Sequence, residues 1–215
     1  MGTKASTMPI ISKMYCSSSQ VVLVVRRRPH VISGGGFVVT DCSDHQKVIF
    51  RVDGCGIRGT KDELLLRDGN GDALLLIRRK GRMVEALSIY KDWKGYSFDY
   101  EGSQKLVFCL REPNLCVVKN NSMRISTEPR VSNKDWDFEI KGYFPNKDCS
   151  IIDTKGNVVA QASHDFICEL IGANVQELMA SKDLYNVVVK PGIDQAFVFG
   201  VIATLDYIYG ESTRC

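Results

Sequence analysis

PGIDQAFVFGVIATLDYIYGE, residues 191–211, is the longest stretch of this chain in which apolar residues are not answered by polar ones. Pro191-Gly192 breaks whatever precedes it, and Asp194 stands where a helix N-cap or first-turn carboxylate belongs, facing free backbone N–H groups. Gly210 follows the last apolar residue and suits the position just beyond a helix. Between these signals, positions 196–209 leave almost no polar face; only Thr204 and Asp206 interrupt. As a helix these positions cover about 21 Å, short of the ~20 apolar residues that a membrane span needs. Asp206 is also costly in lipid. A helix that is apolar nearly all round must be enclosed by protein. The segment therefore predicts a central helix over 194–209, inside a sheet that curves around it or between two packed sheets.

The chain before Pro191 supplies such a sheet. Short runs rich in Val, Ile, Leu and Phe recur between turn residues: 20–25, 34–41, 47–54, 62–68 and 72–80. They continue at 86–92, 96–102, 105–112, 115–120, 123–128, 135–144, 149–165 and 184–192. Trp136, Phe138 and Ile140 alternate with Asp137, Glu139 and Lys141, the period of a half-buried strand. Gly69-Asn70-Gly71, Trp93-Lys94-Gly95 and Asp153 to Gly156 read as hairpin turns. Such a series, without long crossover helices, predicts a mainly β antiparallel barrel or sandwich and excludes Rossmann and TIM architectures. A short helix is expected within 166–180.

At 215 residues, 44% hydrophobic and 25% charged, the chain has the composition of an ordinary globular protein and the length of one domain or two small ones. The net charge of +3 is uneven: residues 1–30 hold five basic residues and no acid, leaving the rest at −2. Strong DNA affinity is not expected from such a body. Eight cysteines form no CxxC pair and accompany three histidines, so free thiols are expected rather than a zinc site or a disulfide framework. No secretory leader is legible.

Four segments carry a resemblance: FVVTDCSDHQKVIFRVDG (37–54), ELLLRDGNGDALLLIRRK (63–80), DWDFEIKGYFPNKDCSIIDTKGNVVAQ (135–161) and YNVVVKPGIDQAFVFGVIATLDYI (185–208). The last is the most specific, through Val189, Pro191, Asp194, Ala196, Phe197 and Asp206. The chain resembles the plant LURP-one-related family of the tubby C-terminal-like superfamily, which also includes the phospholipid scramblases. The resemblance implies a closed twelve-stranded antiparallel barrel with a hydrophobic C-terminal helix through its centre. It also implies a non-enzymatic protein related to plant defence. By analogy with tubby proteins, that protein would be a phosphoinositide- or membrane-surface-binding regulator. The alternative is a protein-interaction scaffold or membrane-tethered transcription regulator without lipid binding.

The expected organisation is a flexible tail over 1–20, one barrel domain over 21–211 and a short tail over 212–215. Arg78, Arg79, Lys80 and Arg82 are the candidate lipid- or phosphate-binding residues, against the reading of a solvated hairpin end; the tubby lysine–arginine pattern is not recognisable there. Arg26, Arg27 and Arg28 form a second basic cluster. Gly2 fits an N-myristoylation pattern. Pro191, Asp194, Phe197, Asp206 and Gly210 are expected to be structural, with Asp206 near a barrel mouth or paired with an arginine or backbone donors. The scramblase calcium loop has no counterpart at Ser181, Lys182 and Asp183. Pairs such as Cys42 with His45, or His164 with Cys168, carry no visible activating group. DGNGD (68–72) reads as a hairpin turn rather than a calcium loop. No catalytic residue, cofactor or metal is expected. The expected partners are phosphoinositides, an anionic membrane surface or regulatory proteins. A monomer is expected, in the cytoplasm, at a membrane periphery or in the nucleus.

Overall fold

The computed structural model describes residues 8–29, 34–42, 47–54, 62–79, 90–99, 101–113, 122–130, 133–164, 183–209 and 213. Twelve strands form one closed antiparallel barrel. They are β1 (Val21–Arg27), β2 (Phe37–Asp41), β3 (Val48–Asp53), β4 (Glu63–Asp68), β5 (Ala73–Arg79), β6 (Tyr90–Phe98), β7 (Gln104–Pro113), β8 (Arg124–Thr127), β9 (Phe138–Tyr143), β10 (Asp148–Asp153), β11 (Val158–Ser163) and β12 (Leu184–Val189). Each strand pairs with its neighbours in sequence, and β1 closes the ring on β12 from Val21↔Val189 to Arg26↔Leu184. Closure leaves no sheet edge among these strands.

Three hairpins share one turn chemistry. In Asp68–Asp72, Asp99–Ser103 and Asp153–Asn157, the leading aspartate accepts backbone N–H groups two and four residues on, at 2.7–3.0 Å. The glycine at the fourth position, Gly71, Gly102 or Gly156, has φ between 78° and 94°. The aspartate thus stands in for a backbone turn partner, and only glycine takes the left-handed position without strain. DGNGD is this turn, its first carboxylate already occupied by backbone.

Trp93-Lys94-Gly95 is not a turn. It lies in the middle of β6, which runs unbroken from Tyr90 to Phe98 with a register shift between Gly95 and Tyr96. Trp93 points inward, 1% exposed, and meets the Tyr207 ring at 4.8 Å. A Cβ on Gly95 would lie 2.3 Å from the Phe108 ring. The glycine therefore serves a close approach inside the wall, not a reversal of the chain. The segments expected at 115–120 and within 166–180 lie outside the described residues.

After β12 the chain turns at Pro191-Gly192 and runs back through the barrel as α1 (Gln195–Ile208). Residues Ala196 through Tyr207 are all buried. Phe197 meets Phe108 of β7 and Phe138 of β9, Phe199 meets Phe50 of β3, and Gly200 abuts Leu75 of β5. Strands β3, β5, β7 and β9 of the closed ring touch the helix, so the enclosing sheet is the barrel rather than a pair of sheets. Each fully buried Phe, Leu, Ile or Val contributes about 1.5–3 kcal/mol from burial. The helix is thus the centre of the hydrophobic core. It is too short to be a membrane span, and no described helix is long and apolar enough to cross a membrane.

Both ends of α1 are anchored by carboxylates. At the N-terminus, Asp194 Oδ1 accepts from the Phe197 N–H at 3.2 Å. Its Oδ2 accepts from Ile10, Ile11 and Ser12 N–H at 3.1, 2.7 and 2.9 Å. Met8 pairs with Ile193, and Tyr15 packs on Phe50 at 5.4 Å. Residues 8–20 are therefore seated across this barrel end, which corrects the expectation of a loose tail for that segment. The helix dipole and the cap act together here: one carboxylate satisfies four N–H donors at the positive end.

Candidate functional site

Among the described residues of the expected basic clusters, neighbours on a strand face opposite sides. Arg26 points outward and is exposed. Arg27 points inward, its Nε 3.7 Å from Asp206 Oδ1 and its Nη1 3.9 Å from Asp183. Arg28 hydrogen-bonds the Val52 carbonyl at 2.7 Å and Asp53 at 3.1 Å. The same split separates Arg78 from Arg79. Arg78 bonds Glu63 at 2.8 Å and Gln104 at 3.0 Å, whereas Arg79 faces Asp62 at 3.7 Å. Lys80, Arg82, Gly2 and Gly210 lie outside the described residues.

Asp206 is fully buried in the last turn of α1, and the Thr213 N–H donates to its Oδ2 at 2.7 Å. Burial pushes its carboxyl pKa up, and the nearby Arg27, Thr213 and Lys147 offset only part of that rise. Lys147, 1% exposed and in the left-handed region, sets its ammonium 3.9 Å from the Phe144 ring. These contacts make Asp206 and Asp194 parts of the scaffold at opposite barrel ends.

Burial raises the thiol pKa of Cys16 and Cys42, and pushes Cys149 up to about 12. That direction removes thiolate, the form a nucleophile needs. Cys109 is also a free thiol. His45 and Cys168 lie outside the described residues. Among the described residues no group of three or more His, Cys, Asp or Glu side chains could hold a metal ion.

Among the described residues, two arginine clusters lie on the outer wall, and distances separate them. The first surrounds Asp53, 3% exposed, with Arg28, Arg51 and Arg67 at 3.1, 3.0 and 2.9 Å. Burial pushes the Asp53 carboxyl up, but the bonds from Arg67 and Arg28 and the Arg51 charge outweigh it and hold the pKa below the usual carboxylate range. These guanidiniums are committed to a buried anion, which is a structural assignment.

The second cluster is looser. Arg111 of β7 and Arg124 of β8 stand directly opposite each other in the ladder. Like charges in that position are unfavourable. Among the described residues the carboxylates paired with them, Asp92 and Glu139, lie 3.8 and 4.0 Å away, beyond hydrogen-bond distance, and the side chains are 58% and 54% exposed. With Ser126, Asp135 and Trp136 they line a surface cavity of about 110 Å³. The Arg124 guanidinium lies 5.5 Å from the Trp136 ring centre, and the Lys134 ammonium lies 5.4 Å from it. This is a shallow cationic groove with an aromatic wall. Sequence reading missed it because residues 111 and 124 meet only through strand register; the one local signal was Trp136, the outermost aromatic of the alternating run 135–141.

The architecture defines a class: a tubby C-terminal-like barrel closed around its own C-terminal helix. The LURP-one-related family model matches residues 21–206, and the chain belongs to that family. It is 56% identical to protein LURP-one-related 6 of Arabidopsis thaliana, over 96% of this chain and 98% of that protein. It is 45% identical to LURP-one-related 16 of the same plant, over the full length of both. An X-ray structure of another Arabidopsis thaliana protein superposes with a TM-score of 0.62 at 19% identity, covering 94% of this chain and 98% of the other. At that identity the likeness speaks for the fold alone.

Proposed function

We propose that this protein is a non-enzymatic binding module for anionic phosphate headgroups at a membrane surface. Its contact site is the groove of Arg111, Arg124, Lys134 and Trp136. The observation that carries this reading is the exposed Arg111–Arg124 pair. The two arginines stand opposite each other by strand register, and no carboxylate among the described residues lies within hydrogen-bond distance. A phosphate placed between them would turn a mutual repulsion into two charge-assisted bonds. Trp136 adds an amphipathic ring of the kind that suits a membrane interface. Asp135 stands at the same groove and favours headgroups that also carry hydroxyl donors, such as inositol phosphates. A defence-related regulatory role is what family membership suggests for such a module.

Flotation with vesicles of phosphatidylcholine alone, with added phosphatidylserine, and with added phosphoinositide tests this. Binding should require anionic lipid and weaken with salt. Each basic side chain near the surface is worth about 1 kcal/mol. Reversal of both arginines, Arg111→Glu with Arg124→Glu, should abolish binding, while Arg78→Glu leaves it largely intact. Absence of binding at low salt would refute the reading and favour the scaffold alternative.

A further inference from the structure

Asp53 is buried, but two of the arginines around it reach solvent: the Arg51 and Arg67 side chains are 48% and 35% exposed. Asp53 Oδ1 accepts from Arg51 Nε at 3.0 Å, and its Oδ2 accepts from Arg67 Nε at 2.9 Å. Arg28 adds a third bond, at 3.1 Å. One carboxylate thus meets three guanidiniums, and positive charge is left over. Arg51 and Arg67 both spend their Nε on Asp53, which leaves the terminal nitrogens, the edge that takes a carboxylate in a two-bond fork. Arg67 gives one of these to the Gly71 carbonyl at 3.0 Å. Among the described residues Arg51 gives none. Because Asp53 already fixes both side chains, a ligand has less to order on binding.

Strand register extends this pair into a row. Arg26 stands opposite Val38, Val38 opposite Arg51, and Arg51 opposite Arg67. Ladder partners face the same side, and Arg26 is exposed, so the row lies on the outer wall. Among the described residues Arg26 has no ion-pair or hydrogen-bond partner for its side chain. From Arg26 to Arg67 the row crosses β1 to β4, a span of about 14 Å at the usual strand spacing. In an extended peptide, alternate side chains share a face, and the fifth residue also lies about 14 Å from the first. Acidic side chains at alternate positions therefore match the length of the row. Half-buried Val38, between Arg26 and Arg51, gives the middle of such a segment an apolar footing.

The row and the groove cannot meet one flat surface. The row is centred between β2 and β3 and the groove on β7 and β8, five strands away in a ring of twelve. The two cationic faces look in nearly opposite directions. A bilayer against the groove leaves the row open to a soluble partner. We propose that Arg26, Arg51 and Arg67 form a docking row for an extended acidic peptide of a partner protein, with carboxylates at alternate positions. This site is separate from the headgroup groove, and together they let the module hold a partner and a membrane at once.

The test is fluorescence anisotropy on the full chain at about 0.15 M salt, with a labelled peptide in which four glutamates alternate with threonine. One control peptide carries glutamine for glutamate, and another carries its four glutamates in a block. The alternating peptide should bind most tightly and weaken as salt is added. Arg26→Gln should weaken it by up to about fivefold, the range of an exposed ion pair, with unchanged stability. Arg26→Glu with Arg51→Gln should weaken it by about tenfold or more; Arg26→Glu alone serves if the double variant does not fold. Arg111→Glu with Arg124→Glu should leave peptide binding intact, because salt screens charges on the far wall. Absence of peptide binding, or equal binding of the glutamine peptide, overturns the proposal and, with vesicle binding retained, leaves the headgroup reading standing. A block peptide that binds as tightly as the alternating one also overturns it, since the row's spacing would then count for nothing. Equal loss on reversing Arg111 and Arg124 overturns it too, because only net charge would matter. Vesicle binding that depends on Arg26, and not on Arg111 and Arg124, overturns both this site and the headgroup site.

Discussion

Replacing Arg27 by Met should cost the protein stability in a way that depends on pH, and the structure fixes the sign. Asp206 is 0% exposed, and Arg27 reaches it at 3.7 Å. Two unit charges at that distance attract by about 4.5 kcal/mol at an effective dielectric of 20. Part of that attraction is offset by the desolvation of Arg27, while Lys147 and the Thr213 N–H continue to support the carboxylate. Losing one partner of a buried pair costs about 3–5 kcal/mol, and these supports put the loss near the lower value, about 3 kcal/mol at neutral pH. In a chain of this size that is a fall of about 6–12 °C in Tm. Met keeps the aliphatic stem's packing, so the loss is chiefly electrostatic. The Asp206 carboxyl pKa is already raised by burial. A carboxyl raised on folding favours the folded state below its unfolded pKa of about 3.9, and that favour is lost as pH rises through the folded value. Protonated Asp206 does not need Arg27, so the penalty of Arg27→Met should shrink as pH falls toward about 4. Urea unfolding of wild type, Arg27→Met, Asp206→Asn and the double variant, at neutral and mildly acidic pH, measures this. Asp206→Asn alone should cost less than Arg27→Met, because it removes a charge that burial disfavours and leaves Arg27 beside Asp183, and in its presence Arg27→Met should cost far less. A penalty that is equal at both pH values, or that grows on acidification, would refute the reasoning.

Asp53→Asn should behave in the opposite sense. Its lowered carboxyl pKa contributes stability above about pH 4 that disappears as pH falls through the folded value, so wild type and variant should converge in acid. At neutral pH the loss should be about 2 kcal/mol, since Arg51 and Arg67 are partly solvent-screened. Gly95→Ala should destabilise by about 1–3 kcal/mol through overpacking against Phe108, read as an earlier midpoint in urea with unchanged slope. Asp194→Ala removes a helix cap worth about 1 kcal/mol. It should also free residues 8–20, seen as lost amide protection at Ile10, Ile11 and Ser12, and retained protection there would count against the clamp.

The elements with local signals were legible in the sequence. The helix announced itself by an apolar face with no polar side, and the hairpins after Asp68 and Asp153 by turn chemistry contained in five residues. Trp93-Lys94-Gly95 misled because a glycine required by an aromatic ring across the barrel looks the same, in sequence, as a glycine required by a turn. The docking of residues 10–12 onto Asp194 was invisible because its partners are more than 180 residues apart. In the first basic run the strand period divides neighbours. Three arginines in a row look like one patch, but a strand sends Arg27 to a buried carboxylate while Arg26 stays in solvent. The groove had the reverse problem: Arg111 and Arg124 look unrelated until register places them opposite one another.

That opposition allows structural and binding roles to be told apart. If Arg111 held the barrel together, its loss would be felt as instability. Its interactions argue otherwise. The contact with Asp92 at 3.8 Å is a surface ion pair worth about 0–1 kcal/mol. The repulsion from Arg124 directly opposite is of about the same size, 0.2–1 kcal/mol, with the other sign. The two nearly cancel, so Arg111→Gln should leave the unfolding midpoint within about 0.5 kcal/mol of wild type. Binding to anionic vesicles should nevertheless fall several-fold, because one basic side chain at the interface accounts for about 1 kcal/mol. A clear loss of stability would mean that Arg111 is a structural residue and that the groove was assigned for the wrong reason. Unchanged stability with unchanged vesicle binding would leave the pair without a role at the membrane and return the search to the protein-contact alternative. A stable variant that binds several-fold more weakly is the outcome that a side chain kept for its ligand requires.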